Sequence, residues 1–385
     1  MKKAEILKRI ERGEDSQTQF KENFTNSQQL AAELVAFSNS RGGYILVGIS
    51  DDNRVKGLSK EDIHRLNQLI SNTATEVVQP PITPLTEIIE IESKKILVVE
   101  VKQGINKPYC TNKNIFYTKV GADKRKISRE ELLRLFQDSG HLAADEMLIY
   151  DSAVDDLNMD KFKKFFEKNY KQTIKATGLP MERILQNLNL FKEGHLNLAG
   201  LLLFGEHPQR FKPIFLIKAV SFFGNDMADT EYRNSEDITG DMENLYKDGM
   251  AFLLRSLDKL QNGQNFNSLG ILEVSRIALE EVLQNALIHR SYFKNAPIRL
   301  LVFDNRIEII SPGKLPNGLT VENIKYGNTV ARNHIITSFA SKMLPYRGLG
   351  TGIQRAVREQ PNIEFINDGD GEQFIVVIPR PKKEK

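Results

Sequence analysis

In the last third of the chain, Glu281, Asn285 and His289 follow one another at intervals of four residues. Four residues is close to one helical turn, so on a helix the three side chains share a face. A carboxylate followed one turn later by a carboxamide suits a magnesium–nucleotide site. Asn285 could offer a hard oxygen to Mg²⁺, and Glu281 could orient or deprotonate an attacking water. Further on, Gly348-Leu349-Gly350-Thr351-Gly352 could let backbone N–H groups approach phosphates, with the next helix adding the positive end of its dipole. Singly, each feature also reads as plain structure: a polar helix face, a tight turn. His289-Arg290 likewise carries two readings. Histidine near a helix end stabilises the last carbonyls; alternatively the pair contacts nucleotide phosphate or a partner loop.

The elements that must position these groups can be read from periodicity and turn chemistry. A helix is expected over 273–289, then strands over 298–303 and 306–310 joined at Asp304-Asn305. The loop Ser311-Pro312-Gly313-Lys314-Leu315-Pro316-Asn317-Gly318 follows, and a last strand is expected over 374–379. Upstream, 27–37 reads as a helix and 44–49, 96–101 and 115–120 as strands. In the middle, 160–170 and 242–260 read as helices, 201–205 and 217–223 as strands, and 261–265 as a flexible joint. Three segments result: 1–140, 141–269 and 270–385. Helices mixed with strands in this way give an α+β multidomain chain.

Composition narrows the function classes. Of 385 residues, 40% are hydrophobic and 27% charged, as in ordinary globular proteins, which excludes a disordered tail, a collagen-like rod and a disulfide scaffold. Cys110 is the single cysteine, so no internal disulfide forms and a Cys-rich zinc site is excluded. The longest apolar stretch, 198–204, falls far short of the ~20 residues a membrane span needs, and the start lacks a signal-peptide core. A cytoplasmic, membrane-free protein is expected. The formal charge of +3 is unremarkable, but 94–129 carries ten basic residues against Glu100 and Asp123, a local +8. Such a strip is the footprint of a polyanion partner or a solvated face. No GxxxxGK[ST] motif occurs, so a P-loop motor is unsupported.

Two resemblances sharpen these readings. Residues 278–292, Ala-Leu-Glu-Glu-Val-Leu-Gln-Asn-Ala-Leu-Ile-His-Arg-Ser-Tyr, together with 306–316 and Gly350-Thr351-Gly352-Ile353, resemble the Bergerat (GHKL) ATP-binding fold. They are closest to a divergent bacterial branch described as ATP-binding transcriptional regulators. The resemblance covers 270–385 and implies an α/β sandwich that binds ATP and Mg²⁺. Glu281 falls at its water-activating glutamate and Asn285 at its magnesium ligand. His289, Ser311, Gly313, Gly348, Gly350, Thr351 and Gly352 fall around the nucleotide. The parent fold reads adenine with an aspartate before its first glycine loop. Here Ser311 stands in that neighbourhood, able to accept a hydrogen bond from the adenine amino group but carrying no charge.

The N-terminal segment resembles the Schlafen-type AlbA-like domain. The match is carried by Gln19-Phe20-Lys21-Glu22, Ala36-Phe37-Ser38-Asn39-Ser40-Arg41-Gly42-Gly43, Val47-Gly48-Ile49, Pro108-Tyr109 and Phe116-Tyr117-Thr118-Lys119-Val120-Gly121. It implies nucleic-acid binding, with DNA favoured over RNA. Arg41, Lys107, Lys119, Lys124, Arg125 and Lys126 are the expected contacts, and Tyr109, Phe116 and Tyr117 are either stacking platforms or core residues. Some such domains are nucleases that hold a metal between paired carboxylates. Here Glu14 is followed five residues later by Gln19, an amide where those enzymes carry a second acid.

Together these features lead to the expectation of an ATP-responsive DNA-binding transcriptional regulator in which nucleotide binding modulates nucleic-acid binding, with a homodimer suggested by analogy. A nucleotide-gated, metal-dependent nuclease acting in defence and a nucleotide-free DNA-binding scaffold are the alternatives.

Overall fold

A computed structural model describes residues 3–228, 230–260, 270–316 and 318–381. The joint expected at 261–265 lies outside the described residues, as does Asn317 of the Ser311–Gly318 loop. The chain is a mixed α+β protein of two compact units, 1–142 and 143–385.

In the first unit, a four-stranded sheet runs in the order Thr18–Lys21, Gly43–Val47, Lys94–Val101, Leu85–Ile91. The first pair is parallel and the others antiparallel. Strand Lys94–Val101 contributes Leu97, Val99 and Val101 to one face of the sheet, and Ile96 and Val98 to the other. Helix Lys3–Arg12 covers the second face with Ile6 and Ile10. Helix Ser27–Asn39 covers the first. It starts where the Asn26 side chain accepts from Gln28 N, and everything from Leu30 to Asn39 is buried. Its last residue acts as a pin. Asn39 Nδ2 donates to the carbonyls of Tyr109 (2.8 Å) and Tyr117 (2.9 Å), while its Oδ1 accepts from Tyr109 N at 2.7 Å. The hairpin Tyr117–Val120/Asp123–Lys126 is thereby held beside the helix end.

The second unit is built on a six-stranded sheet in the order Tyr232–Ile238, Ile217–Phe222, Ile298–Val302, Arg306–Pro312, Gln373–Pro379, Glu364–Asp368. Only the pair Ile217–Phe222/Ile298–Val302 is parallel. Strands from both sides of position 269 therefore share one sheet. Helices Met242–Ser256, Arg276–His289 and Gly352–Glu359 contribute apolar side chains to the core on one face of it. A second core, rich in phenylalanine, joins Met159–Tyr170, Leu198–Phe204 and His334–Met343.

The stretch expected as a strand at 201–205 is instead the helix Leu198–Phe204, capped by the Asn197 side chain on Gly200 N. All seven helical residues are buried. An uninterrupted apolar run looks alike in a buried strand and a buried helix, and the absence of β-branched residues here was the signal for the helix. Among the described residues, no helix is long and apolar enough to cross a membrane.

Candidate functional site

Helix Arg276–His289 begins where Ser275 Oγ accepts from Ala278 N. Most of its side chains are buried, and Glu281, Asn285 and His289 face a cleft. That cleft encloses about 1030 Å³ of free space, counting the part open to solvent. Strand Arg306–Pro312 supplies Ile309 and Ser311 to its wall. The glycine turn supplies Gly348, Gly350 and Thr351, and Gly352 opens the next helix. All nine site residues expected in this half of the chain thus line one cavity.

Their individual states are more particular than spacing can reveal. Glu281 is 6% exposed, and its Oε1 accepts from Arg355 Nε at 2.8 Å and Nη2 at 2.5 Å. Arg355 Nη1 also donates to Thr351 Oγ1 at 2.8 Å. Glu281 Oε2 lies so close to Gly352 that a Cβ there would collide with it. Asn285 Nδ2 donates to the Glu281 carbonyl at 2.7 Å, which orients the amide and leaves Oδ1 as its acceptor. Ser311 Oγ donates to Ala286 O at 3.2 Å, so its lone pairs remain as acceptors on the cleft wall.

His289 Nε2 meets Tyr346 Oη at 3.1 Å. Burial, then the Arg332 charge, push the imidazole pKa down from 6.5 to about 4, so the ring is neutral at pH 7. Arg290 points elsewhere: it is 2% exposed, donates to Lys294 O and Ala296 O, and stacks on Phe215 and Tyr292. Of the pair expected to contact nucleotide phosphate or a partner loop, His289 lines the cleft as a neutral ring, whereas Arg290 is committed to the core.

At two glycines a positive φ coincides with a crowded neighbour. Gly313 has φ +99°, and a Cβ there would lie 2.5 Å from Ser291 Cβ. Gly350 has φ +72°, and a Cβ there would run into Gly327 O.

The cleft also holds groups not singled out from the sequence. Among the described residues, Lys314, Arg332, Arg347 and Arg355 line it against a single carboxylate, Glu281. Leu315, Leu319, Ile324, Ile353, Phe374 and Val376 give it an apolar lining. Arg355 was legible in principle, one helical turn after Thr351; Arg332 and Arg347 carry no spacing signal. An apolar chamber with a cationic wall suits a flat, hydrophobic group joined to a polyanion. Mg²⁺ commonly takes one or two protein oxygens and completes its shell with phosphates and water. Asn285 Oδ1 fits that pattern, whereas Glu281 is engaged by Arg355. Among the described residues, no group of three or more His, Cys, Asp or Glu side chains could hold a metal alone.

In the first unit, the expected basic contacts divide. Arg41, Lys124, Arg125 and Lys126 are exposed. Lys124 nonetheless pairs with buried Glu33 at 2.7 Å. Arg125 grips Glu131 with two nitrogens at 2.6 and 2.7 Å and, as the leading cause, holds that carboxyl down to about 2. Lys107 and Lys119 are corrections: at 4% and 8% exposure they lie inside. Lys107 Nζ donates to Ser40 O at 2.8 Å. Lys119 Nζ donates to Gln19 Oε1 at 2.7 Å and to Ala122 O, and burial lowers its pKa. Tyr109 is also a core residue, 5% exposed, and is no stacking platform. Glu14 Oε1 accepts from Gln19 Nε2 and from Phe20 N. The position expected to hold a metal in a nuclease is therefore a Glu14–Gln19–Lys119 chain, with an amide where a second acid would be needed and an ammonium bonded to that amide.

Comparison with known proteins bears on both units. Residues 14–128 match the family model described as "Schlafen, AlbA_2". Residues 295–378 match "Putative ATP-dependent DNA helicase recG C-terminal", a span that holds Ser311, Gly313 and the glycine turn but starts after helix Arg276–His289. Residues 133–214 match a domain of unknown function. No curated protein matches the chain. The crystal structure of the DIP2311 protein from Corynebacterium diphtheriae aligns over 95% of this chain and 65% of its own, at 20% identity and a TM-score of 0.44. This chain thus spans less than two thirds of that protein. The solution structure of the N-terminal domain of a "Putative ATP-dependent DNA Helicase RecG-related Protein" from Nitrosomonas europaea aligns over 34% of this chain and 96% of its own, at 19% identity and a TM-score of 0.26. The chain therefore carries a Schlafen AlbA_2 domain followed by an ATPase-like domain of the RecG C-terminal kind.

Proposed function

We propose that this is a cytoplasmic, nucleotide-responsive nucleic-acid-binding protein, acting as a transcriptional regulator on DNA. In this reading the second unit is a divergent Bergerat-type module that binds MgATP, and the first unit holds the nucleic acid. The observation that carries it is the single cleft that gathers Asn285, Ser311 and the glycine turn between an apolar lining and four cations. The base would lie on the apolar side, with Ser311 accepting from its exocyclic amino group. The phosphates would face Arg347, Arg355 and the glycine turn, which supplies close backbone approach. Asn285 Oδ1 would hold Mg²⁺, which when bound polarises phosphoryl oxygens. Glu281 is the candidate water-activating group. Control of nucleic-acid binding by nucleotide requires that ATP bind two arrangements of the protein unequally.

Calorimetric titration of MgATP into the wild type and Asn285→Ala tests the site. Saturable binding that the substitution abolishes or weakens at least tenfold is the expected result. A folded wild type that binds no nucleotide overturns it and leaves the cleft domain as a scaffold. The nuclease reading is disfavoured by Lys119 and Gln19, which supply an ammonium and an amide beside Glu14.

A further inference from the structure

The ion pair between Glu281 and Arg355 joins two walls of the cleft. Glu281 sits in the second turn of helix Arg276–His289, and Arg355 in the first turn of helix Gly352–Glu359. Both line the cavity. A guanidinium offers a rigid fork of donors that fits carboxylate and phosphate alike. Here Nε and Nη2 are spent on Glu281 Oε1, and Nη1 on Thr351 Oγ1 in the glycine turn. Glu281 is buried, and its other carboxylate oxygen rests against Gly352 at the start of the helix. The single acidic group among the described residues lining the cleft therefore occupies the cation best placed, by its bond to the glycine turn, to receive a phosphate.

We infer that Glu281 is an internal stand-in for nucleotide phosphate: it pairs with Arg355 and is displaced from it when a polyphosphate binds. The inference rests on the nucleotide reading above and adds an order of events to it. Two anions compete for one guanidinium, so the carboxylate opposes binding until the phosphate takes its place. Once released, Glu281 is free to turn toward water, which couples its availability as a base to occupancy of the site. Glu281 in this role differs in sign from a group that merely supports the site. Removing its charge should tighten binding.

The test measures affinity for the non-hydrolysable analogue AMP-PNP with Mg²⁺, and for adenosine, in the wild type, Glu281→Gln and Arg355→Met. Thermal melting confirms that each variant is folded. Glu281→Asp provides a second route, because the shortened side chain withdraws the carboxylate from Arg355. The inference predicts at least fivefold tighter AMP-PNP binding in Glu281→Gln, tighter binding in Glu281→Asp and weaker binding in Arg355→Met. Adenosine, which lacks phosphate, should bind all of them equally. Wild-type binding that is unchanged or weakened in Glu281→Gln and Glu281→Asp overturns the inference and leaves the nucleotide reading standing. Absence of AMP-PNP binding in the wild type and in every variant overturns both.

Discussion

Replacing His289 by glutamine should make the protein less sensitive to acid. In the folded protein, burial first and the Arg332 charge second hold the imidazole near pKa 4, against 6.5 for an unhindered histidine. Between those values the unfolded chain binds the proton and the folded chain does not. Stability therefore rises with pH across the window and is lost as pH falls from 6.5 toward 4. Integrating over that interval gives a loss of about 2 kcal/mol between pH 7 and pH 5, and about 3 kcal/mol by pH 4. Glutamine keeps a polar contact for Tyr346 Oη, which lies 3.1 Å from His289 Nε2 in the wild type, and cannot titrate. Urea denaturation of wild type and His289→Gln at pH 7, 6 and 5 measures the difference directly, and groups that titrate alike in both proteins cancel. The two stability curves should converge or cross by about 2 kcal/mol as the pH falls. Parallel curves would refute the neutral imidazole. So would nucleotide affinity that strengthens as pH falls through 6.5 in the wild type and not in the variant, the mark of a cationic phosphate contact.

Two further outcomes follow from the packing. Gly350→Ala drives a Cβ into Gly327 O at φ +72°; it should cost about 1–3 kcal/mol of stability and weaken nucleotide binding, read by melting and calorimetry on the same sample. In the first unit, the double variant Arg41→Ala/Lys126→Ala should weaken nucleic-acid binding and lower the slope of log affinity against log salt by up to about 2. Lys119→Met, which removes a buried ammonium from Gln19 and Ala122, should leave that slope unchanged while shifting the melting temperature. A slope that responds to Lys119 and ignores Arg41 and Lys126 would reverse the assignment.

Much of the cleft was legible because its signals are local. Four-residue spacing aligns Glu281, Asn285 and His289 on any helix, and positive φ at Gly313, Gly348 and Gly350 requires the residue type that appears there. The strands at 217–223, 298–303, 306–310 and 374–379 were visible for the same reason: β-branched alternation and turn residues act over a few positions. The helix Leu198–Phe204 escaped because burial on every side erases periodicity.

Charge was the least transparent property. The strip 94–129 is strongly basic in sequence, yet a count of lysines does not say which way each one points. Lys107 and Lys119 turn inward to satisfy Ser40, Gln19 and Ala122, while Arg41 and Lys126 remain outside. Sequence by itself determined the mixed α+β character, the helical stripe and the glycine turns, since these depend on backbone sterics and nearest neighbours. Only the tertiary structure decided that Ile217–Phe222 pairs with Ile298–Val302, strands far apart in chain order, that Arg355 closes on Glu281, and that His289 is neutral. Each of those is a contact between distant segments, set by which groups must leave water together and which charges must then find a partner.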